Sequence, residues 1–298
     1  MLNKPKNIFN DFTFLLTIAI NDSKIIIYLC LVNNIYKVRE TIMNILAIGD
    51  VVGSIGCRHL RDKLPKLKKE KNIDLVIANG ENSADGNGIT PASANFLFSS
   101  GVDVITAGNH TFRRPESYHL FDEMPFLLRP ANFPDGTTPG KGYTIYDFGR
   151  SQAAVINLMG CMYLEPLNDP YIVIDKILKE IDTKIIILDF HAEATAEKIA
   201  IGYYLDGRIS AMFGTHTHVQ TADERILKNG TGYITDVGMT GPIESVLGVK
   251  PELTIKKFKE KLPVRFEIAT GDCKMDCILF DIDEKTGKTK SLKRMSIV

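Results

Sequence analysis

From Met43 onward the chain alternates short apolar runs with longer stretches in which apolar residues recur every three or four positions. That is the pattern of strands and helices taken in turn, and it predicts a layered α/β domain. Strands are expected near residues 44–49, 74–79, 102–107, 153–158, 184–190, 209–214 and 231–236. Helices are expected near 57–71, where Leu60, Leu64 and Leu67 recur among lysines and arginines, and near 91–100, 170–181 and 194–205. Thr90 followed by Pro91 suits a cap and first turn. Residues 128–150, with Pro130, Pro134 and Pro139, read as loop or hairpin. Val264 to Ile268 and Cys277 to Ile282 alternate as half-buried strands, and Glu284-Lys285-Thr286-Gly287 makes a turn before a last strand. Nothing repeats and no low-complexity linker interrupts residues 43–298, so one domain is expected there.

Residues 1–42 differ from the rest, being rich in Lys, Asn, Ile and Leu, with apolar patches from Phe12 to Ile20 and Ile25 to Val32. Asn21-Asp22-Ser23-Lys24 separates the patches, and neither reaches the ~20 residues of a membrane span. Lys4 and Lys6 precede the first patch as in a secretory signal, but no clean small-residue cleavage site follows. The segment is expected to be an appendage outside the fold, or an upstream extension that is not translated.

The 298 residues, 44% of them hydrophobic, can bury a sizeable core. Lys+Arg and Asp+Glu both total 36, which argues against a protein built to wrap duplex nucleic acid or lie on an acidic membrane. Cys30, Cys57, Cys161, Cys273 and Cys277 are odd in number and scattered, so a reducing cytoplasm is the expected setting. Cys273 and Cys277 have no further partner nearby and read as packing thiols rather than a zinc site.

The informative residues sit where predicted strands end. Gly214-Thr215-His216-Thr217-His218 closes one strand, and side chains at i and i+2 of an extended segment face the same way. Asp50 ends the first strand, Glu81 and Asn82 the second, Asn109 and His110 the third, and His191 another. Singly these read as a helix cap, turn residues and a buried imidazole. Ligand sites of open α/β sheets lie outside the carboxyl ends of strands, however, and together the residues should converge there. Carboxylates and amides mixed with imidazoles suit Mn²⁺, Fe or Zn²⁺ rather than Ca²⁺.

In this order, Gly49-Asp50, Gly80-Glu81-Asn82, Gly108-Asn109-His110, His191 and Gly214-Thr215-His216-Thr217-His218 resemble the calcineurin-like metallophosphoesterases. Gly49-Asp50-Val51-Val52-Gly53, Asn79-Gly80-Glu81-Asn82 and Thr235-Asp236-Val237-Gly238-Met239-Thr240-Gly241-Pro242 resemble more closely the YmdB-like bacterial cyclic-nucleotide phosphodiesterases. The resemblance runs from Met43 almost to the C-terminus. It implies a single-domain α/β/β/α sandwich holding two divalent or mixed-valence metal ions, Fe and Mn foremost, with Zn and Mg as further candidates. By it, one metal takes Asp50, Glu81, Asn82 and His218, the other Glu81, Asn109, His191 and His216, and Glu81 bridges. His110 would serve the leaving group. The implied activity is hydrolysis of 2′,3′- or 3′,5′-cyclic nucleotides or another small phosphodiester by metal-activated water. Tyr163 and the Gly238 to Gly241 turn would shape the pocket.

Two departures stand out. Val52 occupies the place of a histidine found in most of the superfamily, and the resemblance gives its role to Asn82. Thr111-Phe112-Arg113-Arg114 lacks the acidic residue expected after the aromatic one, and Arg113 or Arg114 has a phosphate contact or a solvated surface role open to it. A nucleotidase or other phosphomonoesterase, a nuclease, and a metal-containing regulatory RNA-associated protein are the competing readings. No membrane or duplex nucleic-acid partner is expected, and a homo-oligomer is compatible with the sequence.

Overall fold

The chain is described here from a computed structural model, which covers residues 42–134 and 136–298. The apolar patches 12–20 and 25–32, and Cys30, lie outside the described residues. In chain order the elements are β1 (Ile42–Ile48), β2 (Asp50–Val51), α1 (Gly53–Glu70), β3 (Leu75–Asn79), α2 (Pro91–Ser99), β4 (Val104–Thr106) and α3 (Leu120–Glu123). Then come β5 (Tyr143–Asp147), β6 (Gln152–Met159), α4 (Pro170–Glu180), β7 (Ile185–His191), α5 (Thr195–Tyr204) and β8 (Ala211–Thr215). The chain closes with β9 (Arg225–Ile226), β10 (Gly232–Ile234), β11 (Met239–Pro242), α6 (Pro251–Glu260), β12 (Cys273–Asp283) and β13 (Thr289–Ile297).

Two sheets result. One runs β2-β11-β12-β1-β3-β4 with β13 beside β12, and the other runs β5-β6-β7-β8-β10-β9. β1, β3 and β4 are parallel neighbours, as are β6, β7, β8 and β10. Their side chains alternate between two cores because successive residues of a strand point to opposite faces. Met43, Ile45 and Ala47 meet Val155, Ile187 and Phe213 between the sheets. Leu46 and Ile48 instead meet Leu60 and Leu64 of α1, and Ile156, Leu188 and Phe190 meet Ile174 of α4 and Ile201 of α5. The order of layers is therefore helix, sheet, sheet, helix. Strands buried on both faces are apolar throughout, which is why their sequences read as continuous runs.

The predicted hairpin is present, β5 returning as β6 in antiparallel register. Val264 to Ile268 is a correction: only an isolated bridge from Val249 to Ile268 forms there, with Phe266 exposed. Alternation needs a partner strand to become sheet, and the neighbouring chain is instead α6, opened by Pro251 in its first turn. Among the described residues no helix is long and apolar enough to cross a membrane.

Candidate metal centre

The parallel strands of both sheets deliver their polar ends to one place. Asp50 follows β1, Glu81 and Asn82 follow β3, Asn109 and His110 follow β4, His191 ends β7, and His216 and His218 follow β8. Close backbone approach makes this possible. A Cβ on Gly49 would lie 2.1 Å from the Gly238 carbonyl oxygen, and one on Gly108 would lie 2.2 Å from Cδ2 of His191.

All eight predicted site residues come together, three in each of two groups, Glu81 between the groups and His110 beside both. In the first, Asn82 Nδ2 lies 3.3 Å from Asp50 Oδ1 and 3.2 Å from His218 Nε2. In the second, His191 Nε2 lies 2.9 Å from Asn109 Oδ1 and 3.0 Å from His216 Nδ1. Glu81 stands between them, its Oε1 3.4 Å from Asn82 Nδ2 and 3.3 Å from His191 Nε2. Asp50, Glu81, Asn82 and His191 are buried. Among the described residues the only cationic partners of Asp50 and Glu81 are imidazoles.

The outer nitrogens of the imidazoles decide what the inner ones offer. Thr215 Oγ1 gives its one proton to Asp189 Oδ1 at 2.7 Å, so it accepts from His191 Nδ1 at 2.9 Å. His218 Nδ1 donates to the Leu247 carbonyl at 3.0 Å, and His216 Nε2 faces Glu193 Oε2 at 2.9 Å. Each ring therefore turns a lone pair inward, as outer hydrogen bonds do for histidine ligands. In the second group His191 Nε2, His216 Nδ1, Asn109 Oδ1 and Glu81 Oε1 then meet as four acceptors with no donor among them. A cation resolves that clash. Spacings of 2.9–3.0 Å suit adjacent donors around an ion held at about 2.1 Å. The donor set fits a metal, and Glu81, His191 and His216 alone already satisfy the geometry of a metal-holding cluster.

A proton also relieves the same crowding. Burial pushes His191 down, but the Glu81 carboxylate beside it outweighs burial and lifts it to about 9. Burial likewise pushes Glu81 up, yet His191 and His110 hold it at about 2. Burial and the nearby His191 charge drive His216 down to about 3. Burial raises Asp50 above the ordinary carboxyl range.

His110 stands beside both groups. Its backbone N–H donates to Glu81 Oε2 at 2.9 Å, and its Nδ1 lies 2.8 Å from Asn82 Oδ1. Burial lowers its pKa. Val52 packs against Gly241 and Gly248, where an added Cβ would meet its side chain at 3.2 and 2.6 Å. Phe112 joins an aromatic cluster with Tyr118, Phe121 and Phe133. Arg113 pairs with Glu165 at 3.6 Å, and Arg114 donates to the Asn87 and Ala84 carbonyls, tying two site loops together. Tyr163 is exposed, in a left-handed backbone conformation at φ 66°.

Residue reading left Asp189 and Asn79 without a role. Asp189 is buried, accepts from Thr215, Thr106 and Asn79, and burial raises its carboxyl to about 7. Its signal was its place two residues before His191, on the same face of β7.

A family model described as YmdB-like protein matches residues 46–295. The chain is 50% identical over 257 residues to the 2′,3′-cyclic-nucleotide 2′-phosphodiesterase of Bacillus subtilis (strain 168), covering 86% of this chain and 97% of that relative. Among solved structures, a novel phosphatase from Mycoplasma pneumoniae superposes with a TM-score of 0.83 at 34% identity, covering 87% of this chain and 94% of that one. A hypothetical protein from Thermus thermophilus superposes with a TM-score of 0.81 at 38% identity, covering 85% of this chain and 98% of that one.

Proposed function

The chain belongs to the YmdB-like protein family, and from that premise we propose that it is a metal-dependent phosphodiesterase hydrolysing 2′,3′-cyclic nucleotides, with residues 43–298 carrying the whole activity. The relative from Bacillus subtilis bears that activity in its name. The observation that carries the reading is Glu81 Oε1 standing between two groups of inward-facing donors. Asp50, Glu81, Asn82 and His218 would hold one ion, and Glu81, Asn109, His191 and His216 the other, with Fe and/or Mn favoured. Two such ions, when bound, supply Lewis acidity and acidify water at the site.

The chain's own residues do the rest. Asp50 and Glu81 bring negative charge into a buried place, and Thr215, Leu247 and Glu193 fix the imidazoles that face it. His110, anchored through Nδ1 and its backbone N–H, keeps Nε2 for the leaving oxygen of the ester. Cys57, Cys161, Cys273 and Cys277 are free thiols, which supports a reducing cytoplasmic setting.

The test is a panel of 2′,3′-cyclic AMP, 3′,5′-cyclic AMP, nucleoside monophosphates and short RNA, run beside metal analysis of the purified protein. Fastest turnover of the 2′,3′-cyclic ester with two metals per chain is expected. Preference for a monophosphate or for RNA, or full turnover after complete chelation, would overturn the reading.

A further inference from the structure

Lys198 on α5 is fully buried, and its Nζ lies 2.7 Å from Asp236 Oδ2, itself buried. Taking two charges out of water costs several kcal/mol per ion, and apolar residues of similar volume often serve stability as well or better. The pair therefore calls for a role beyond filling space. Asp236 belongs to the Thr235 to Pro242 motif, which the catalytic reading above does not use.

The partners of Asp236 supply the role. Its Oδ2 also accepts from the Thr217 backbone N–H at 3.0 Å and from Thr217 Oγ1 at 2.7 Å. Its Oδ1 accepts from Gly238 N–H at 2.9 Å. Its backbone is clamped to Thr221, which accepts through Oγ1 at 3.0 Å and donates through N–H at 3.0 Å. One rigid carboxylate thus grips Thr217 at both main chain and side chain.

Thr217 lies between His216 and His218, and both histidines have left-handed backbone, at φ 99° and 61°. Such a conformation costs on the order of 1–3 kcal/mol per non-glycine residue and persists only where its surroundings enforce it. His216 and His218 have further contacts of their own, but Thr217 sits at the midpoint that sets their spacing. We propose that Asp236, held in place by Lys198, is the positioning residue that fixes His216 and His218 relative to one another. The proposal rests on the reading that these two histidines serve different metal ions.

The test uses the full-length chain. Metal content is measured on the purified protein, and Mn²⁺ is titrated calorimetrically into the chelator-treated protein. Lys198→Met/Asp236→Leu removes both charges and the grip, and weaker Mn²⁺ binding by roughly 10–100-fold is expected, as for other outer partners of metal ligands. Lys198→Met/Asp236→Asn removes the ion pair but keeps an acceptor for Thr217, and should recover most of that loss. Thr217→Val, which leaves the buried pair intact, should weaken binding several-fold and keeps the idea testable if the double variants do not fold. Unchanged Mn²⁺ affinity in Thr217→Val or in Lys198→Met/Asp236→Leu, with only the melting temperature altered, would overturn the positioning role. A wild-type chain that binds no Mn²⁺ would overturn the metal reading along with it.

Discussion

Replacing Glu81 by glutamine keeps the shape of the residue at the heart of the site and removes its charge. Burial pushes the carboxyl up, and the charge and hydrogen bonds of His191 and His110 bring it down to about 2 from its ordinary 4.5, a net of about 3 kcal/mol. His191, lifted from 6.5 to about 9, reports a similar figure from the other side of the same contact, so the two are not additive. In the metal-free protein the consequence is a pH dependence of known sign. A histidine with a raised folded pKa contributes stability that is complete below about 6.5 and lost as pH rises through about 9. The melting temperature of chelator-treated wild type should therefore fall between pH 6.5 and 9, on the order of 5–10 °C for a domain of this size. In Glu81→Gln the fall should largely vanish, because the carboxylate that raised His191 is gone. The same charge attracts cations, so Glu81→Gln should also lose at least one metal, with Mn²⁺ affinity weakened by roughly 100-fold or more. Scanning fluorimetry at several pH values and metal analysis measure both effects. Retention of two metals at wild-type affinity, or an undiminished alkaline fall in the variant, would refute the bridging role.

His110→Ala should lower kcat by roughly 10²–10⁴ while metal content stays at two per chain, because His110 lies beside the donors without joining them; steady-state kinetics with metal analysis checks it. Gly108→Ala should displace His191, whose ring lies 2.2 Å from where the new methyl would stand, and so lower both melting temperature and metal content. Thr215→Val leaves His191 Nδ1 without its acceptor and should weaken Mn²⁺ binding by roughly 10–100-fold, read by calorimetry.

The layered fold was legible because strands buried on both faces, such as β1, β3 and β7, leave long apolar runs. The site was legible because its residues cluster at strand ends, which is a local property. What was not legible depended on distant partners. Nothing in the run from Val264 to Ile268 reveals that no strand lies beside it. Nothing near Lys198 reveals that its charge meets Asp236, 38 positions later, rather than solvent. Asp189 had a local signal in its spacing from His191, but the hydrogen bonds it accepts from Thr106 and Asn79 required the assembled sheets.

The role proposed for Asn82 reaches beyond the metals. As placed, its Nδ2 faces Asp50, Glu81 and His218, while its Oδ1 faces His110 Nδ1, which must then carry a proton. A half-turn of the amide exchanges the two atoms. The oxygen then faces the first donor group as a ligand must, and the NH₂ donates to His110 Nδ1. That nitrogen can accept only as a lone pair, which moves the ring proton to Nε2, the nitrogen available to the leaving oxygen. One amide would thereby couple ion binding to the tautomer of the acid, which an imidazole at the position of Val52 could not do. Asn82→Asp separates the two functions, since a carboxylate keeps an oxygen for the ion but offers His110 Nδ1 only acceptors. Both metals should be retained while kcat falls by roughly 10²-fold, within the range of general acid catalysis. Turnover within about threefold of wild type in a fully metal-loaded Asn82→Asp protein would show that the amide hydrogen plays no part.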